Sequence, residues 1–140
     1  MFEKYSALII IMLLLIYTAK TDGEKEEIPL YACVSALMAI LVIRVATGFS
    51  AADFLPYILA AGLMFLIMLV NAALFGGGGG DCILMFVIGF AFGIISSLMI
   101  LSASCIMLAV YYLLSRGGTA KSSYPMAPAI LISTMIISFI

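Results

Sequence analysis

Between Cys82 and Leu114 the chain runs for 33 residues without one charged side chain. Few folds can absorb such a run. As one helix it would be about 50 Å long, against a bilayer hydrocarbon core of about 30 Å. Two short helices joined by a tight turn fit better, and Gly93 with the Ser96-Ser97 pair is the expected break. A soluble core cannot take the run, because the rest of the chain has too few polar residues to surround it. Of the 140 residues, 66% are hydrophobic and 9% charged, where a soluble domain carries roughly a quarter of charged residues. Lipid is the expected solvent for most of the surface.

The apolar runs give six candidate spans, roughly Tyr5–Ala19, Ile28–Ile43, Phe54–Phe75, Cys82–Ile95, Leu98–Leu114 and Met126–Ile140. The expected fold is all-α and polytopic, with six short transmembrane helices. No polar linker divides the chain, so residues 1–140 are expected to form one domain. The start, Phe2-Glu3-Lys4 before an apolar run, has only one Lys beside a Glu, which is a weak signal-peptide n-region. An uncleaved first span is the expectation.

With six spans, the first, third and fifth loops share one side. They carry Lys20, Lys25, Arg116 and Lys121, against Lys4 and Arg44 on the other side. The positive-inside rule places the first, third and fifth loops in the cytoplasm.

Composition also excludes. A net charge of −1, with six Lys and Arg spread along the chain, makes no basic patch for nucleic acid. There is no His, and Cys33, Cys82 and Cys105 are scattered in or beside apolar runs. No zinc site, disulfide framework or Ser/His or Cys/His nucleophile is expected. No cofactor is implied. The ten methionines read as packing material.

Two aspartates stand out. Asp81 opens an apolar helix directly after the five glycines Gly76–Gly80. An ionised carboxylate costs about 2.5–3.5 kcal/mol at the centre of a membrane helix and less at its edge. It reads as an N-cap, as a catalytic group, or as both. The glycine run clears side chains from its approach and lets another backbone come close; no Lys or Ser/Thr follows to make it a phosphate loop. Asp22 lies in the charged first loop, Lys20–Glu27, which on its own reads as a solvated connector. Two crossings separate that loop from the third, so Asp22 and Asp81 fall on the same face. The remaining aspartate, Asp53, falls on the other face, where Ser50–Asp53 has the spacing of a capping box with Ser50 accepting from the backbone. Paired carboxylates that cannot both ionise share a proton, the arrangement that acid–base hydrolysis by a water requires.

These residues resemble a known family. Gly78-Gly79-Gly80-Asp81 matches the GxGD motif of membrane aspartic proteases. Asp22, followed after five residues by Ile28-Pro29, resembles the first-aspartate motif of type IV prepilin peptidases. Tyr124-Pro125-Met126-Ala127-Pro128-Ala129 is similar to the Pro- and Ala-rich start of their last helix. The resemblance implies a cell-membrane aspartic endopeptidase of the type IV pilus system, multi-pass, with Asp22 and Asp81 catalytic at the cytoplasmic face. Gly78, Gly80, Ile28, Pro29, Pro125 and Pro128 would support the site, and the substrate would be a prepilin or pilin-like protein. In such a fold a groove between helices would take the apolar part of the substrate, and Asn71 and the Pro125/Pro128 segment are expected to line it. The small size resembles peptidase-only members, without the cysteine-rich methylating extension. Leu30 and Ile83 depart from the family's usual Asn and Lys, and the loop after Asp22 is acidic where relatives are often basic. The presenilin-like group fits less well, because Thr21, not Tyr, precedes Asp22. A different class remains open beside this one: a small non-enzymatic membrane protein, such as a channel, transporter subunit or assembly scaffold.

Overall fold

The computed structural model describes residues 2–25, 29–75, 79–114 and 126–138. Among them all regular structure is helical: α1 (Phe2–Lys25), α2 (Leu30–Ala46), α3 (Ala51–Phe75), α4 (Gly79–Leu114) and α5 (Met126–Ser138). Five helices therefore stand where six spans were expected. The expected fourth and fifth spans form one element, α4, interrupted at Gly93, whose backbone leaves the helical region at φ 78°, ψ −176°. Only glycine takes that conformation readily, which is why the interruption falls there. Ser96 and Ser97 keep helical backbone angles. The Ser97 hydroxyl bonds back to the carbonyls of Gly93 at 2.5 Å and Ile94 at 3.1 Å, as mid-helix serines commonly do.

Among the described residues two segments are long and apolar enough to cross a membrane, Ala52–Leu74 in α3 and Gly79–Tyr111 in α4. Large apolar side chains cover much of the outside, among them Leu13, Met38, Leu59, Leu66 and Leu114. So much exposed apolar surface would aggregate in water and fits a lipid-facing protein.

The helices run antiparallel in sequence order up to Gly93. Tyr17 near the end of α1 meets Tyr31 at the start of α2, both through their hydroxyls and ring edge to face. At the other end, Ala7 lies beside Ile40, Ile43 and Arg44. Phe54 stacks on Phe90, and Phe65 meets Phe86 edge-on, which sets α3 antiparallel to the first part of α4. The core gathers around that part: Leu84, Met85 and Ile88 are fully buried against Ile11, Leu15, Ile40, Met64 and Ile130. α2 ends in a Schellman motif, with Gly48 N–H on the Val45 carbonyl, Phe49 N–H on the Arg44 carbonyl, and Gly48 at φ 83°.

Candidate active site

Asp22 is not in a loop. α1 continues to Lys25, so its last turn holds residue 22. Lys20, Glu24 and Lys25 are good helix formers despite their charge, and the Thr21 hydroxyl is satisfied within the helix by the carbonyls of Tyr17 at 2.9 Å and Thr18 at 3.1 Å. The Asp22 side chain lies outside the described residues. Its position, four residues after Thr18, falls on the same helix face, and Thr18 is fully buried.

Asp81 does not cap its helix. α4 begins at Gly79, which puts Asp81 inside the first turn. The positive end of the helix dipole still favours a carboxylate there. Asp81 is half-buried. One turn on, Leu84 and Met85 are fully buried, and the adjacent Cys82 nearly so, so the backbone beneath Asp81 is anchored in the core. Both aspartates thus stand one turn beyond a buried anchor, at the same end of the bundle: where α1 and α3 finish and where α2 and α4 begin. α1 also packs directly on α4. Asp53 is at the opposite end, in the first turn of α3.

The remaining expected positions divide. Pro29 is the N-cap residue of α2, and its carbonyl accepts from Ala32 and Cys33 at 3.1 and 3.5 Å. Its ring sets the extended entry to the helix. Gly80 is in the first turn of α4, and Pro128 is half-buried in the first turn of α5, between the buried Ala127 and Ala129. Asn71 is exposed on α3, one turn before its end at Phe75. Gly78, Ile28 and Pro125 lie outside the described residues. The close backbone approach expected at the glycine run is not at Gly79, where nothing lies within 4 Å of an added Cβ. Gly76–Gly78 lie outside the described residues. A close backbone approach is present at Gly89, in the α3–α4 contact.

Ser50 and Asp53 make only part of the expected capping box. The Asp53 carboxylate accepts from the Ser50 N–H at 3.0 Å and from its hydroxyl at 2.7 Å. The Asp53 N–H bonds the Ser50 carbonyl rather than its hydroxyl.

A family model for the type IV leader peptidase family matches residues 9–113, three quarters of the chain. The chain belongs to the type IV leader peptidase family. No curated protein and no solved structure matches it. The match spans most of α1 to the last turn of α4 and includes both aspartates. It stops short of α5, so Pro125 and Pro128 lie beyond it. The prepilin peptidase resemblance read from Asp22, Ile28-Pro29 and Gly78–Asp81 is borne out at the level of the family, which is one of peptidases that remove leaders.

Two features near this framework were not legible beforehand. One is the Tyr17–Tyr31 contact that ties the end of α1 to the start of α2; 14 positions separate the rings, and neither spacing nor composition marks them. The other is Arg44, expected as a loop charge and instead 3% exposed. Its signal was available in part: a lone Arg in the last turn of an apolar helix, followed by Phe49, Phe54 and Tyr57.

Proposed function

We propose that this protein is a membrane-embedded aspartic endopeptidase that removes the short leader from prepilin or pilin-like precursors. The observation that carries the reading is the placement of Asp22 and Asp81 at one end of the bundle, each one turn from a fully buried residue. Family membership supplies the reaction class.

In this reading the two carboxylates hold one proton between them. The ionised one takes a proton from a water as its oxygen bonds to the scissile carbonyl carbon. The protonated one gives its proton to the carbonyl oxygen. As the tetrahedral intermediate collapses, the C–N bond breaks, the leaving nitrogen takes a proton from the first carboxyl, and the second recovers its own from the hydroxyl that becomes the new carbonyl. The apolar helix of the precursor would lie in lipid against the bundle, with its cut site at the aspartate end.

In this reading α4 serves as two crossings, one on each side of Gly93, and the chain has six spans; the interruption of the helix at Gly93 supports this. Lys20 and Lys25 flank Asp22, and burial of Arg44 removes it from the count on the other side. The positive-inside bias then favours a cytoplasmic active site in the cell membrane.

Asp22→Asn and Asp81→Asn test the proposal. Each should abolish cleavage of a co-expressed prepilin while the protein keeps its abundance in the membrane. Cleavage by both variants would exclude the aspartic mechanism.

A further inference from the structure

We propose that Arg44 is a positioning residue that holds the break in α4 and thereby sets where the Asp81 segment sits. Arg44 is at the end of α2 farthest from the aspartates and is almost completely buried. Its Nη2 donates to the Ala91 carbonyl at 2.9 Å. In an unbroken helix that carbonyl would accept from the N–H four residues on, and Gly93 lies inside that interval. The guanidinium also lies over the Tyr57 ring, 3.6 Å from its centroid, with Phe90 at 5.1 Å and Phe49 at 5.5 Å. Tyr57 in turn faces the break: a Cβ on Gly93 would stand 3.5 Å from its ring edge.

One cation thus ties together the end of α2, the first turns of α3 and the interruption of α4. Among the described residues α2 and α3 do not otherwise pack helix against helix; each packs on α4. The segment from Gly79 to Phe92 is therefore clamped at the Arg44 end, and Asp81 rides at its other end, about 18 Å along the axis. A small change of tilt at the clamp is carried to Asp81 by a stiff helix. A buried Arg serves poorly as simple filler, because an apolar side chain of similar size is often as stable or more so. What the cation adds is a directed donor for the broken helix end and attraction to three rings.

The test uses the full chain in lipid nanodiscs, with Cys33→Ser and Cys105→Ser leaving Cys82 as the sole thiol. Cys82 adjoins Asp81 and is 4% exposed, so its reaction with a small methanethiosulfonate reagent reports the seating of that segment. Arg44→Met should leave the melting temperature within a few degrees yet raise the labelling rate about five- to tenfold. Arg44→Lys, which restores a donor, should return it towards the parent value. Labelling that is unchanged in a folded Arg44→Met protein, or that Lys fails to rescue, overturns the proposal. The importance for cleavage rests on the peptidase reading, and there Arg44→Met should lower kcat with KM little changed. Because thiol labelling needs no substrate, failure of the clamp and failure of the peptidase reading are separate results.

Discussion

Gly89 lies so close to Ala61 that a methyl group on it would stand 2.9 Å from the Ala61 Cα, and equally near the Ala60 carbonyl oxygen. These are backbone atoms, so no rotamer change relieves the contact. The α3–α4 pair, which seats the Asp81 segment, therefore depends on a missing side chain, as close helix pairs in membranes often do.

Gly89→Ala should force the two helices apart and cost about 1–3 kcal/mol, seen as a lower melting temperature in detergent. Gly62→Ala is the matched control. Nothing lies within 4 Å of a Cβ there, and alanine is the better helix former. Its melting temperature should be unchanged or higher. Equal losses for both would mean that the close contact is not what stabilises the pair.

Gly93→Ala tests backbone strain with little steric contribution. The space beside Gly93 accepts a methyl group at ordinary contact distance from Tyr57, but the φ of +78° does not suit an L side chain. The cost should be about 1–3 kcal/mol. Gly48→Ala, at φ +83° with open space around it, should cost about 1–2 kcal/mol by the same mechanism. Only the Gly93 variant should also raise the labelling of Cys82, because only that glycine is in α4.

Asp53→Asn is the control for the catalytic assignment. Asp53 bonds only to Ser50 among the contacts described, and it is at the far end of the bundle from Asp22 and Asp81. Cleavage of a prepilin should proceed at the parental rate in this variant and stop in Asp22→Asn. An inactive but abundant Asp53→Asn protein would place the chemistry at the wrong end of the bundle.

The acidic stretch after Asp22 gives a specificity prediction. Residues 20–27 hold Lys20 and Lys25 against Asp22, Glu24, Glu26 and Glu27. Reversing the three glutamates to lysine should slow cleavage of substrates with basic leaders severalfold at low salt and spare neutral leaders. The difference should shrink as salt rises. Identical rates for the two leader classes would remove any role for these glutamates in choosing substrates.

Much of this was legible in the residues. Apolar runs marked each helix, because burial in lipid or core requires them whatever the neighbours are. Gly93 was identifiable as the interruption of a run too long for one span. The two aspartates could be placed on one side by counting crossings, since antiparallel succession follows from short loops. Boundaries were less legible: α1 runs past Ala19 through a charged turn, because Lys and Glu favour helix as readily as they favour water.

What the sequence determined by itself is an all-helical, strongly apolar chain of the leader peptidase family, with Asp22 and Asp81 at positions that resemble its motifs. Tertiary structure alone decided which glycine two helices need, that Asp81 sits within its helix rather than capping it, and that Arg44 is interior. Each of these depends on atoms brought together from distant positions. Arg44 and Ala91 are 47 residues apart, and no local pattern records that a carbonyl two residues before Gly93 will meet a cation at the end of another helix.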